Sequence, residues 1–435
     1  MTALAQASPP TERTPPERTQ LLAAAGLFLL GIVPLVFFKF RNGFIPGDLT
    51  VYRHAGSLAL HRRNFYAVGF GAHLRVHLPF TYPPFAALAV IPLAVIPARL
   101  ALIGWSALNL ALVAGMTWWL VRPALVRAGR VHPAWTAAAA AALAWTVPAA
   151  QTLAYGQVNI VLAFFCLADC VLVRPGSPGK GVLVGVATAI KLTPGLFILY
   201  YAATRQWAAA ARAAVTALAL ELAAAVLLPA ASRSYWLHLW WNPRRTGDPK
   251  FYFNQSIYGT VLRLGLPTWL WPVLGLVAIA LALWRARQAH GRGADVAAVA
   301  LVGFAAVLVS PISWQHHAVW IIPMFGVLAA WAARGATPRR WVLVGVLAVL
   351  FIAPVPQIGD LLLKTSFPSV LARVIQQSDV VIFWLMLAWL PLAGVAPVAP
   401  VVPVVPVVSV GQEPAARLPT AAGRPEGRAR RMPAN

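Results

Sequence analysis

Acidic residues are scarce in this chain: 11 Asp and Glu among 435 residues, against 35 Lys and Arg. All charged residues together make up 11%, well under the roughly 25% of an ordinary soluble domain. A water-soluble fold of this length would have too little polar surface to cover itself, so a set of soluble domains is excluded. Cysteine is nearly absent. Cys166 and Cys170, one helical turn apart in an apolar run, support neither a disulfide framework nor a zinc site and read as packing residues. No internal repeat shows in the motif spacing, which counts against a transporter built from inverted halves. No cleavable leader is expected. Residues 1–20 are polar with four prolines, and 21–38 reads as an uncleaved apolar span.

Apolar residue types, by contrast, make up 60% of the chain. Apolar stretches lie near 21–38, 99–121, 134–150, 157–173, 208–229, 268–287, 295–309, 316–333, 340–354 and 379–397. They predict an all-α, polytopic integral membrane helical bundle with about ten full spans. A transmembrane β-barrel, with its short alternating segments, is excluded. Two further segments are irregular. Residues 83–97 hold four prolines, and 181–204 is interrupted by Lys191-Leu-Thr-Pro194. Both read as re-entrant or broken elements, which survive at membrane depth only when packed in protein or lining a wet cavity.

Positive charge sets the orientation. The short connections carrying Arg122/Arg127/Arg130, Arg174/Lys180, Arg205/Arg212, Arg285/Arg287/Arg292 and Arg334/Arg339/Arg340 are expected in the cytoplasm. They share one side only if both irregular segments return to the side they entered from. Three loops, about 39–82, 230–267 and 355–378, then lie outside. The expected organisation is a disordered cytoplasmic N-terminus (1–20), a membrane domain (21–397) and a low-complexity tail (398–435), Pro/Val-rich and then basic. The net charge of +24 belongs with cytoplasmic loops and anionic lipid headgroups rather than nucleic acid. Arginines also persist in the external loops, where outer-leaflet headgroups or an anionic, phosphate-bearing lipid ligand would hold them.

Polar residues concentrate at six places. In Gly47-Asp48-Leu-Thr-Val-Tyr52-Arg53-His54 the spacing predicts an amphipathic surface helix over 48–62. Asp48 can cap that helix, yet it is nearly alone among the acids at the outer mouth of the first spans, which marks it as a candidate catalytic carboxylate. Tyr82-Pro83-Pro84 stiffens a return into the membrane. In Gly156-Gln157-Val-Asn159 the two amides suit sugar hydroxyls or a neighbouring helix. Lys191 at its helix break can snorkel or neutralise a phosphate. Asn254-Gln255-Ser256, with Arg263 following, sits among Phe251, Tyr252, Phe253 and Tyr258, a setting for a sugar phosphate or an interfacial aromatic belt.

The last place is Ser310-Pro-Ile-Ser313-Trp314-Gln315-His316-His317. Two histidines in a polar octet between apolar helices are costly to bury, and function is the better reason for keeping them. Adjacent histidines on a helix point about 100° apart, so one can face a cavity while the other packs. A serine-protease reading lacks its Gly-x-Ser-Gly-type site. Metal ligation lacks both the i, i+4 spacing and a nearby carboxylate, so no metal and no cofactor are expected.

Taken in order, these six motifs resemble glycosyltransferase family 87, over about residues 20 to 390. No single motif is specific; six in sequence on a membrane chain carry the resemblance. It implies a GT-C fold and an extracytoplasmic reaction at the cell membrane. The donor would be a polyprenyl-phosphate-linked sugar, above all mannose, and the acceptor a glycolipid or glycan. It also makes the aspartate of the first external loop, here Asp48, the catalytic carboxylate. In an inverting transfer one carboxylate takes the proton of the attacking hydroxyl. A polyprenyl phosphate leaves as an anion and needs positive or hydrogen-bonding stabilisation, for which His316 or His317, Lys191 and Arg263 are candidates. A retaining enzyme would need a second carboxylate about 5 Å away, and none pairs with Asp48 in sequence. Tyr52, Arg53, Tyr82, Gln157, Asn159, Lys191, Asn254, Gln255, Arg263, Ser313 and Trp314 are expected around the substrates. The alternative is a transporter or flippase of lipid-linked saccharides, for which paired repeats and midplane ion sites are wanting.

Overall fold

The structure, a computed structural model, describes residues 17–40, 47–67, 78–335 and 337–395. The segment expected to form the N-terminal tail, up to residue 16, and the Pro/Val-rich and basic tail from 396 lie outside the described residues, as do 41–46 and 68–77 of the first loop expected outside, with its arginines Arg41 and Arg75. Among the described residues every regular element is helical, and the one extended pairing is an isolated antiparallel bridge between Asn254 and Trp314.

Each apolar run expected to be helical is helical, but most are shorter than a membrane crossing. Three helices are long and apolar enough on their own: Ala98–Arg127, Trp207–Leu227 and Leu270–Gly291. Three bent pairs raise the number to six if each counts as one span: Pro133–Trp145 with Val147–Tyr155, Pro338–Ile352 with Val355–Leu362, and Ser369–Gln376 with Ser378–Trp389. By length alone the described residues therefore give up to six crossings rather than ten. Asp295–Val309 and Ile321–Gly335 have 15 residues each, about 22 Å at 1.5 Å per residue, against a hydrocarbon layer of about 30 Å.

Proline explains one interruption that hydropathy conceals. Residues 134–150 read as a single span, yet the chain turns by 68° at Thr146. Pro148 has no N–H to give the preceding turn, and its ring would strike the carbonyl four residues back. The Thr146 hydroxyl donates to Leu143 O (2.6 Å), occupying a carbonyl that the break frees.

Helices differ sharply in position. Asp295–Val309 buries 13 of its 15 residues and is the central pillar, whereas Trp207–Leu227 buries only four alanines and faces outward. Small residues let neighbours close on the pillar. A Cβ on Gly303 would stand 2.1 Å from Trp320 Cδ2, so the indole lies directly on the helix backbone.

The two irregular segments fold as short pieces. Residues 83–97 form Pro84–Ala89 and Ile91–Val95, six and five residues long, neither able to cross a bilayer. Helix Gly47–Leu60 packs on both, with Gly56 so near Val90 O that a Cβ would lie 3.1 Å from it. In the second segment, helix Val182–Ile190 ends at an extended Lys191, followed by a 3₁₀ turn Thr193–Gly195 and helix Leu196–Ala203. Pro194 cannot donate and disfavours a helical Thr193, so the break is built into the sequence.

At the far end of that segment two charged residues fasten a hairpin. Asp169 Oδ1 accepts from Gly181 N (2.7 Å) and the Tyr201 hydroxyl (2.8 Å), and its Oδ2 accepts from Val184 N (2.9 Å). Lys180 Nζ donates to the carbonyls of Asp169 (2.7 Å), Cys170 (2.8 Å) and Val173 (3.1 Å). The acid satisfies the open N–H groups that begin Val182–Ile190, and the lysine satisfies the open carbonyls that end Asn159–Val171.

Residues 355–378, expected as an external loop, contain two short helices, Val355–Leu362 and Ser369–Gln376. Leu361, Val370, Leu371 and Val374 are exposed, while Gln376 turns inward and donates to Asp360 (2.9 Å). These are amphipathic helices suited to an interface.

Contact between Trp320 and Gly303 gives the first test. Gly303→Ala is expected to lower stability by about 1–3 kcal/mol through overpacking. Gly104→Ala, where an added Cβ meets nothing within 4 Å, should leave it unchanged or slightly raised. Thermal unfolding of both variants in detergent measures the difference; equal melting would deny the close packing of the pillar.

Candidate active site

Asp48 and Tyr52 are four apart on Gly47–Leu60, so the helix sends them out one above the other. Tyr82 arrives from the connection that precedes Pro84. Gln157 is set by Gly156, whose left-handed conformation (φ 71°, ψ 35°) ends Val147–Tyr155 and lets Gln157 N bond back to Thr152 O at 2.9 Å. The three side chains meet. The Tyr52 and Tyr82 hydroxyls are 2.8 Å apart and each lies 2.9 Å from Gln157 Oε1. With both phenols on its oxygen, Gln157 turns its amide nitrogen to the Asp48 carboxyl, to which its side chain is hydrogen-bonded. Burial pushes Asp48 up to about 6, while the Gln157 hydrogen bond and the Lys191 charge act in the opposite direction. Burial also holds both phenols well above their ordinary range, so they remain hydroxyl donors.

Lys191, exposed to the site by its extended backbone, donates to Asn159 Oδ1 (2.9 Å) and stands 5.5 Å from the Tyr82 ring centre. It is the centre of the arrangement. Its charge acts on Asp48 and on both His316 and His317.

The histidines occupy a 3₁₀ turn, Gln315–His317, in the connection between Val309 and Ile321. Their rings are 4.7 Å apart and nearly perpendicular, and Tyr155 meets His316 edge-on at 5.5 Å. Burial first, and the Lys191 charge second, hold both imidazoles well below their usual range, so both are neutral. A small cavity of about 20 Å³ lies beside them, lined among others by Asn159, Lys191, Ser313, His317 and Trp320. His317 thus faces the cavity, and His316 packs on Tyr155. Four buried polar atoms in this neighbourhood make no hydrogen bond within the protein: Asn159 Nδ2, Ser313 Oγ and both ring nitrogens of His316. Buried polar atoms are normally paired, and a group of unpaired ones around a lysine is suited to a polar, anionic ligand.

Other expected residues are engaged elsewhere. The Arg53 guanidinium donates to the carbonyls of Leu93 and Ile96 and ties its helix to Ile91–Val95. Arg263 donates to Phe251 O (3.0 Å) and to Gln377 Oε1; burial lowers it to about 10, against the opposing pull of Asp360. Asn254 Nδ2 donates to Pro249 O (2.9 Å) and Pro311 O (3.1 Å), and its Oδ1 accepts from Ser313 N (2.8 Å). Gln255 N donates to Ser313 O (2.7 Å), and its side chain donates to the carbonyls of Tyr252 (2.7 Å) and Gln376 (2.9 Å). Trp314 pairs with Asn254 through the isolated bridge. Together Asn254, Gln255 and Trp314 stitch the connection before Ile257–Arg263 to the histidine-bearing one.

Two participants escaped the sequence reading as site residues. Tyr155 stands immediately before the Gly156-Gln157 pair, and only the fold shows that its ring covers His316. Gln315 is held from behind, by Gln357 Nε2 (2.6 Å) and by Asp379 Oδ2 at 3.4 Å. In sequence Asp379 shows only as an acid at the edge of a later loop, which hid its part behind Gln315. Among the described residues no group of three or more His, Cys, Asp or Glu is placed to hold a metal ion.

Comparison with known proteins finds a family model and named relatives. The family model described as glycosyltransferase family 87 matches residues 80–311. A Mycolicibacterium smegmatis protein named polyprenol-phosphate-mannose-dependent alpha-(1-2)-phosphatidylinositol mannoside mannosyltransferase is 36% identical over 72% of this chain and 76% of its own length. A Mycobacterium tuberculosis protein of the same name is 31% identical over 74% and 80%. A second M. smegmatis relative, named for a phosphatidylinositol pentamannoside acceptor, is 34% identical over 61% and 65%. No solved structure matches.

The clasp at Asn254 yields a prediction. Asn254→Ala removes three hydrogen bonds and leaves the buried Ser313 N–H unpaired, which is expected to cost about 1–3 kcal/mol. The measurement is the melting temperature of the purified variant beside its steady-state kinetics. A raised KM with unaltered melting would identify Asn254 as a substrate contact instead.

Proposed function

The chain belongs to glycosyltransferase family 87, and from that premise we propose that it transfers mannose from a polyprenyl-phosphate donor to a phosphatidylinositol-mannoside acceptor. The reaction takes place at the extracytoplasmic face of the cell membrane, in a GT-C fold. Asp48 is the general base. It takes the proton of the acceptor hydroxyl as that oxygen bonds the anomeric carbon from the face opposite the phosphate. The bond from the anomeric carbon to the phosphate oxygen breaks, the configuration inverts, and polyprenyl phosphate departs with the electron pair. Lys191 meets that anion as an ammonium, and neutral His317 as an N–H donor, in a site from which water is largely excluded. Tyr52, Tyr82 and Gln157 keep the carboxylate aimed. Asn159 and Ser313 contact the substrates. Arg53, Arg263, Asn254, Gln255 and Trp314 act through the connections they fasten.

One observation carries this reading: a carboxylate and two adjacent neutral imidazoles share a single lysine as their charged neighbour, with unpaired polar atoms of Asn159, Ser313 and His316 in the same neighbourhood. The side of the membrane follows from positive charge in the short connections. It requires both proline-broken segments to turn back, which gives ten crossings counting the short helices as tilted or locally thinned spans. The names of the relatives supply donor and acceptor. A transporter has no need of a base with a tuned carboxyl. Incubation of the purified chain with polyprenyl-phosphate mannose and phosphatidylinositol mannosides separates the two, since transfer requires a new glycosidic product.

Asp48→Asn is expected to cut turnover by about 10²–10⁴-fold with unchanged elution and melting; near-normal turnover would remove Asp48 from the reaction. Because the base works only when ionised and its carboxyl sits near 6, while burial lowers the Lys191 ammonium to about 7 against the opposing charge of Asp48, kcat/KM should rise about tenfold per pH unit below 6, peak between 6 and 7, and fall again above 7. A flat profile from pH 5 to 8 would contradict that assignment. His317→Ala is expected to lower kcat by about 10²-fold, and a wild-type rate in that variant would leave the imidazole a packing role.

A further inference from the structure

Away from the Asp48 cluster, Glu221 has no part in the mechanism. It lies in the C-terminal half of Trp207–Leu227, and both its carboxylate oxygens are buried without a hydrogen bond. It faces the Trp236 side chain and the Phe85 backbone, and neither reaches hydrogen-bond geometry. Its charge also finds no counterpart, since the ion pairs among the described residues are His290–Asp295 and Lys364–Asp360. A carboxyl group kept at membrane depth without an ion-pair partner is costly, and such residues mark ligand sites more often than packing.

The surroundings define what it would bind. Tyr66 and Tyr235 stack at 5.5 Å with their planes 27° apart, and both phenols lie within electrostatic reach of Glu221. The Arg245 guanidinium stands 5.6 Å over the Tyr66 ring and donates to Phe80 O (3.0 Å). Tyr66 donates to Tyr82 O (2.6 Å). The carboxylate accepts hydroxyl protons, phenol faces take the C–H face of a ring, and a guanidinium takes a phosphate.

We propose that Glu221, Tyr66, Tyr235 and Arg245 form a second binding site, for the polyhydroxylated, phosphate-bearing headgroup of the acceptor lipid. The assignment rests on the glycosyltransferase reading above. Acceptor rather than donor follows from the Phe80–Tyr82 segment, which the two sites share. Its Tyr82 phenol joins the cluster around the base, and its carbonyls are held by Tyr66 and Arg245. The new site therefore adjoins the group that receives the acceptor's proton, while Lys191 and the histidines take the donor's phosphate.

The experiment uses the full chain in nanodiscs, with equilibrium binding of a phosphatidylinositol mannoside and separate KM values for donor and acceptor. Glu221→Gln keeps the shape and removes the charge. It is expected to raise the acceptor Kd and KM at least tenfold while the donor KM stays within twofold. Arg245→Gln should do the same and serves as the independent variant if Glu221→Gln elutes as aggregate. Acceptor binding within twofold of wild type in the variants that elute normally would overturn the proposal, as would a shift in the donor KM alone. Wild-type protein that binds the acceptor without transferring to it would defeat the catalytic reading and leave the binding test intact.

Discussion

A charge or amide placed where water cannot reach must find its partner inside the protein, and nearly every polar feature of this chain follows from that constraint. Three of the described acids meet it well. Asp169 closes a helix start, Asp295 pairs with His290 at 2.6 Å, and Asp360 holds Lys364 and Gln376. Asp48 meets it only in part, through one amide and the field of a lysine that is itself bonded to Asn159. The incomplete satisfaction is what leaves its carboxyl near neutrality and able to exchange a proton.

The same logic separates the histidines from their surroundings. Their connection is sewn to the neighbouring loop by Asn254 and Gln255 and braced from behind by Gln357 through Gln315. The His316 imidazole and Ser313 Oγ are left without internal partners in that stretch. Rigid backbone with unpaired side-chain atoms is the arrangement that binds a transferring phosphate without reorganising.

Much of this was legible in the residues themselves. The helical class followed from apolar runs, the two irregular segments from proline, and the meeting of Asp48, Tyr82, Gln157 and Lys191 from motifs that are far apart in sequence. What remained hidden has physical reasons. Hydropathy averages over a window, so it passes over the bend at Thr146 and overstates the length of runs that end early as 12- to 15-residue helices. Arginines read as ligands for anions because sequence shows their charge but not the nearby carbonyls that claim Arg53 and Arg263. Tyr155 and Asp379 gained their roles only through packing between distant segments.

The hairpin closed by Asp169 and Lys180 bears on the site from a distance. Asn159 begins the first of its helices, and Lys191 directly follows the second, so the two groups that bond at one end are carried on arms joined at the other. Asp169 lies ten residues, about 15 Å, from Asn159 along the helix. The arms behave as a pair of tongs whose rivet is an acid and an amine on the far side of the bundle. The Asn159–Lys191 bond at the tips closes the same pair of helices that this rivet closes at the other end.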